Sequence, residues 1–202
     1  EGKSFIAANL AITFAQTGKK TLLVDTDFRK PRQHKIFGID LKPGLSNHFI
    51  GEIDYESIIK HVNIPHLSVI TCGLIPPNPS ELLGSHSMEK FCDNVRNRFD
   101  IIIFDTPPTM TVTDAVVLSR IVDGVVFVIK SGQTPKELTR RALLQYKNSK
   151  SDLLGIILNL VDVSKGGYYS YYYSHYYKYG YGDEPPKEKR KREKREKKEI
   201  SV

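Results

Sequence analysis

Four short stretches of this chain hold the residue types that phosphate chemistry uses. It opens Glu1-Gly2-Lys3-Ser4, directly before an apolar, alanine-rich run. Gly2-Lys3-Ser4 matches the last three positions of the phosphate loop G-x-x-x-x-G-K-[ST], whose first glycine and preceding strand this sequence does not contain. In such a loop, backbone N–H groups at a helix N-terminus cradle phosphates, Lys3 would reach the β/γ oxygens and the Ser4 hydroxyl would ligate Mg²⁺. A bare GKS also occurs in ordinary loops, so its weight comes from what accompanies it. Asp105 closes the apolar run IIIFD, the pattern of a Walker B aspartate that holds Mg²⁺ through water; the plainer and weaker reading, taken alone, is an ordinary carboxylate capping a strand. In VDTDFRKP, from Val24 to Pro31, Asp25 and Asp27 stand two residues apart after TLL. If both lie on a strand they point to one side, and like charges held together call for a cation or a shared proton. The fourth stretch is YYSYYYSHYYKYGYG, with nine of the chain's eleven tyrosines: Tyr168, Tyr169, Tyr171, Tyr172, Tyr173, Tyr176, Tyr177, Tyr179 and Tyr181. No strand alternation or helical stripe accounts for them.

The elements that must position these residues are legible in the apolar pattern. Residues 5–17 predict a buried helix stopped by Gly18, and TLLVDTD a short strand. LSVITCG (67–73) is a second strand, and SELLGSHSMEKFCDNVRNRF reads as one helix opened by Ser80. DIIIFD, DGVVFVIK and LLGIILNLVD are three further strands, separated by the helices TDAVVLSRIV and TPKELTRRALLQYKNSK. Apolar runs alternating with helices predict an α/β fold with a doubly wound, mostly parallel sheet and helices on both faces. Ligands of such sheets bind at the carboxyl ends of the strands, where Asp25, Asp27 and Asp105 fall.

The 202 residues suit one domain and a tail, with expected divisions at 1–165, 166–182 and 183–202. The formal charge of +7 is concentrated in KEKRKREKREKKE, from 187 to 199, where nine Lys/Arg against four Glu give +5. The folded part is therefore near neutral, which argues against a nucleic-acid-binding face. Cys72 and Cys92 show no CxxC spacing, and the six histidines do not pair at metal-ligand intervals. A reduced, cytoplasmic setting follows, with no apolar run of the ~18–20 residues that cross a bilayer and no signal peptide. Because the chain begins with Glu1 rather than Met, it reads as a fragment. The tyrosine row, broken by Gly and Ser, is expected to be disordered, as is the charged tail.

GKS, VDTDFRKP, GLIPPNPSELL, IIIFDTPP and the tyrosine cluster, in this order and spacing, resemble the bacterial tyrosine kinases (BY-kinases) over roughly residues 1–182. These are phosphate-loop (P-loop) NTPases related to the positioning ATPases MinD and ParA. The resemblance implies ATP and Mg²⁺ as cofactors, with Gly2, Lys3 and Ser4 on the phosphates and Ser4, Asp27 and Asp105 on the metal. It implies Asp25 as the group that accepts or steers the acceptor tyrosine's proton, and Asn159 as an adenine contact, although an Asn there is also an ordinary strand cap. It further implies autophosphorylation of the cluster between copies of a homo-oligomer and a role in capsule or exopolysaccharide synthesis and export. The implied partners are a membrane-spanning activator, which would hold the protein at the inner face of the membrane, and a phosphotyrosine phosphatase. Each phosphate adds about −1.5 to −2 charges, so three would cancel the +5 run; the basic tail then either folds back on the modified cluster or keeps it near a phosphatase or partner, and its plainer reading is a solvated helix with i,i+3 and i,i+4 ion pairs. Two rivals remain. A MinD/ParA-like ATPase without kinase activity leaves the tyrosines without a purpose, and a nucleic-acid or scaffold module leaves the aspartates without one.

Overall fold

The structure, a computed structural model, describes residues 1–149 and 151–162. The tyrosine cluster, the basic tail and the expected divisions near residues 165 and 182 lie outside the described residues. Glu1–Val161 form one compact unit.

The sheet begins with β1 (Thr21–Asp25), a strand buried along its whole length. It lies parallel to β3 (Leu67–Ile70) on one side and to β4 (Ile101–Asp105) on the other. A two-residue strand, β2 (Lys60–His61), runs antiparallel at the edge next to β3. The remaining strands, β5 (Val125–Lys130) and β6 (Leu153–Asn159), pair in parallel as a separate two-stranded sheet. The α/β class and the mostly parallel sheet follow the expectation; among the described residues no ladder joins β4 to β5. Between them lies a cavity of about 480 Å³, lined by Ile101–Phe104 of β4, by Val125, Val126 and Val128 of β5, and by Leu10 and Phe14.

Alternation along β1 explains why both faces are covered. Leu22 and Val24 point to one side with Ile70, Ile102 and Phe104, under Leu45, Leu83, Met88 and Phe91. Leu23 points to the other with Val69 and Ile103, under helix α1 (Lys3–Gln16). This helix meets the sheet through Ala7, Ala8, Ala11 and Ala15, all buried, so small side chains at helical spacing let its axis lie close to the strands. Helices α2 (Gln33–Phe37) and α3 (Leu45–Phe49) and a 3₁₀ turn at Tyr55–Ile58 fill the segment between β1 and β2, where the sequence carried no clear period.

The helix expected from Ser80 onward is two helices, α4 (Pro79–Leu83) and α5 (His86–Arg96). The break at Gly84-Ser85 has a local cause: Ser85 accepts a hydrogen bond from the Met88 N–H and caps α5. Ser80 therefore caps nothing. Helices α6 (Asp114–Leu118) and α7 (Lys136–Asn148) occupy their expected places. Cys72 and Cys92 are buried and unpaired, and burial pushes both thiols up to about 12, so neither is a reactive thiol. Among the described residues no helix is long and apolar enough to cross a membrane.

Candidate nucleotide and phosphoryl-transfer site

The parallel register sets Asp25 directly opposite Asp105 at the carboxyl ends of β1 and β4. One residue further, Thr26 fastens the two chains: its N–H and its hydroxyl both donate to the Asp105 carbonyl, at 2.9 and 2.7 Å. The strand stops at Asp25, so Asp27 is not on it, contrary to the premise that both project from one strand. Its carboxylate reaches the site from the loop instead, accepting from the N–H groups of Arg29 (3.1 Å) and Lys30 (2.9 Å). The Asp27 N–H in turn donates to Asp25 Oδ1 at 3.2 Å. The other oxygen of Asp25 accepts from the N–H groups of Arg32 and Gln33, at 3.0 and 2.9 Å.

These carboxyls are buried, Asp25 wholly and Asp105 at 2 % exposure. Burial pushes Asp25 up to about 7; the neighbouring Asp105 adds to the rise, and the backbone N–H groups oppose it. Asp105 is raised as well, again by burial first, against hydrogen bonds from Gln33 and Ser4. Two raised carboxyls side by side form a site that favours a cation.

The phosphate-loop remnant faces them. Gly2 takes the left-handed conformation (φ 86°) immediately before the first turn of α1, where Lys3 and Ser4 sit. Lys3 pairs with Glu1 at 3.1 Å. Asn159, at the end of β6, donates to the Glu1 carbonyl at 2.8 Å, and a Cβ on Gly2 would come within 2.4 Å of its amide nitrogen. The structure thus brings Gly2, Lys3, Ser4, Asp25, Asp27 and Asp105 to one end of the sheet and sets Asn159 against the loop backbone. The nine tyrosines of the cluster lie outside the described residues.

Two residues that the sequence left unmarked are part of this end of the molecule. Gln33, fully buried, donates from Nε2 to the Ser4 carbonyl (3.0 Å) and to Asp105 Oδ2 (2.8 Å). Asp114, also fully buried, takes a two-pronged hydrogen bond from Arg29, at 3.0 and 3.1 Å, and one from the Ser80 hydroxyl. Burial works to raise Asp114, but Arg29 and Ser80 outweigh it and hold the carboxyl below its usual range. The motif RKPRQ offers no periodicity that would mark Gln33, and an acidic residue opening α6 reads as a simple helix-dipole match.

Among the described residues, no three His, Cys, Asp or Glu side chains close around an ion by themselves. Mg²⁺ keeps waters and binds through one or two carboxylates plus substrate phosphates. The hard oxygens of Ser4, Asp27 and Asp105 are the donor type it takes.

Strand-end carboxylates facing a GKS helix start define a phosphate-loop nucleotide-binding protein. The comparisons with known proteins narrow the class. A family described as AAA domain matches residues 1–140. The tyrosine-protein kinase YwqD of Bacillus subtilis is 45% identical over 171 residues, 85% of this chain and 72% of YwqD. The kinase domain of the Escherichia coli tyrosine kinase ETK superposes with a TM-score of 0.78 at 30% identity, covering 90% of this chain and 68% of that one. The cell division ATPase MinD of Pyrococcus furiosus superposes at 0.66 with 21% identity, over 78% of this chain and 66% of that one, a likeness of fold alone. The chain belongs to the bacterial tyrosine kinases.

Proposed function

We propose that this protein-tyrosine kinase transfers the γ-phosphoryl group of Mg·ATP to its own carboxyl-terminal tyrosines, in the service of capsule or exopolysaccharide synthesis and export. The observation that carries this reading is the pair of buried carboxyls, Asp25 and Asp105, in register beside the Gly2-Lys3-Ser4 helix start.

In this reading the N-terminal backbone of α1 and Lys3 hold the phosphates, and Asp105, Asp27 and Ser4 hold the cation. Bound there, Mg²⁺ neutralises charge on the β- and γ-phosphates. Phosphoryl transfer otherwise needs in-line placement more than covalent help. The acceptor phenol, with a pKa of ~10, is a weak nucleophile at neutral pH and gains from a carboxylate on its hydroxyl. Asp25, pushed up to about 7, matches that task. Three backbone N–H groups already occupy its oxygens, which leaves one lone-pair position for the phenol. As the phenolic oxygen bonds to the γ-phosphorus, the bond to the bridging oxygen breaks, ADP leaves, and the proton passes to Asp25. Asn159 lies at the right end of the sheet for a nucleotide contact and would exchange its bond to Glu1 for it.

The acceptors are Tyr168, Tyr169, Tyr171, Tyr172, Tyr173, Tyr176, Tyr177, Tyr179 and Tyr181, presented from one copy to another within a homo-oligomer. A membrane-spanning activator and a phosphotyrosine phosphatase complete the cycle at the cytoplasmic face of the membrane. The test is phosphotyrosine formation by the complete chain with Mg·ATP and the activator, comparing wild type with Lys3→Met. Phosphotyrosine in the wild type alone supports the reading. Steady ATP hydrolysis without phosphotyrosine would move the protein to the MinD-like ATPases.

A further inference from the structure

Gln33 joins three residues of the recognised motifs at this site, Asp25, Ser4 and Asp105. Its backbone N–H holds Asp25 Oδ2 at 2.9 Å. Its side-chain nitrogen bridges two elements far apart in sequence, the Ser4 carbonyl at the start of α1 and the carboxylate of Asp105 at the end of β4. Both partners are acceptors, so the amide orientation is fixed: the nitrogen must face them. The oxygen of the same amide is then left buried with no hydrogen-bond partner.

An unpaired buried acceptor is costly, so one in a site of this kind calls for a donor that arrives with the ligand. No neighbouring side chain supplies it. The amide carries its oxygen on the same carbon as the nitrogen that touches Asp105 and the phosphate loop, so a donor arriving next to that junction comes within reach of it. A water held by a cation at Asp105 is such a donor, since coordination polarises its O–H bonds.

The geometry points to Gln33 as a positioning residue that fastens Asp105 to the phosphate loop and whose side-chain oxygen accepts a hydrogen bond from a water held by the nucleotide-bound divalent cation. It senses whether the cation is present and ties that state to the Asp25 loop through its own backbone. The inference rests on the phosphate-loop reading above, and it concerns an amide that does not ligate the metal. Partners of this outer kind change metal affinity by about 10–100-fold when removed.

The test uses the complete kinase chain and Mn²⁺·ADP binding followed by electron paramagnetic resonance, with ADP binding in EDTA as the reference. Gln33→Met, similar in size but without the amide, should weaken Mn²⁺·ADP by about 10–100-fold, a larger loss than it causes in ADP binding measured in EDTA. A second measurement needs no variant. The chain has four glutamines, and Gln16 and Gln133 are exposed while Gln145 is only half-buried. With ¹⁵N-glutamine labelling, the slowly exchanging side-chain amide of Gln33 should shift on adding Mg·ADP but not on adding ADP with EDTA. An amide that stays put, or Gln33→Met binding Mn²⁺·ADP as the wild type does, overturns the inference. Wild-type protein that binds no Mg·ADP would instead refute the nucleotide-site reading on which it depends.

Discussion

Asp25 is a carboxyl group under opposing demands: burial and Asp105 disfavour its charge, while three backbone N–H groups favour it. Burial wins and pushes the carboxyl up to about 7, from the 3.8 usual for an aspartate in water. The unfolded chain therefore releases this proton near pH 4 while the fold keeps it to about pH 7. Stability of the nucleotide- and metal-free protein should fall as pH rises through that window, by at most about 4 kcal/mol from this group. Urea unfolding between pH 4.5 and 8 measures the slope, and Asp25→Asn should flatten it; an unchanged slope would place the burden elsewhere. Gly2 sets a second expectation. With φ at 86° and the Asn159 amide 2.4 Å from where a Cβ would stand, Gly2→Ala should weaken Mg·ADP binding at least ~10-fold by calorimetry. Asp25, Asp105 and GKS were legible because their chemistry goes with a fixed position after an apolar run. Gln33 and Asp114 were not, because what they do depends on contacts between residues 29 to 85 positions apart in sequence.

At the scale of elements, strands and long helices followed from apolar runs, whereas the α4–α5 break did not. Gly84-Ser85-His86-Ser87 carries no apolar side chain between Leu83 and Met88, and the cap at Ser85 starts a new helix there. Ser85→Ala should cost about 1 kcal/mol, read as a lower unfolding midpoint. Ser80→Ala should leave α5 intact by hydrogen exchange, since the Ser80 hydroxyl lies on Asp114 instead. The segment between β1 and β3 was equally hard to read, because it is held by close backbone approach rather than by period. Leu45 and Ser46 donate to the carbonyls of Thr71 and Cys72 at 2.8 and 3.0 Å, and a Cβ on Gly44 would meet Gly73 at 2.4 Å. Gly44→Ala should therefore destabilise the fold by more than a surface substitution does, on the order of 2 kcal/mol or above.

At the scale of the whole molecule, the proposed reading assigns catalysis to the described unit and phosphate acceptance to the tyrosine segment. The described unit, Glu1–Val161, holds every non-tyrosine residue of the proposed site. A complete chain ended at residue 165 should keep Mg·ADP affinity and lose phosphotyrosine, whereas Asp105→Asn should lose both. The split of the sheet into a four-stranded and a two-stranded part was not foreseeable, since apolar runs announce strands without saying which edges pair. The family itself was legible from five motifs in order, because each pairs a chemical requirement with a place at a strand or helix end.

The most direct test of the account is to map phosphate by mass spectrometry on the complete chain after incubation with Mg·ATP and its membrane activator, with Asp25→Asn alongside. The account predicts phosphate within Tyr168–Tyr181 in the wild type and its loss in the variant. ATP consumed with every tyrosine of that cluster unmodified would contradict it.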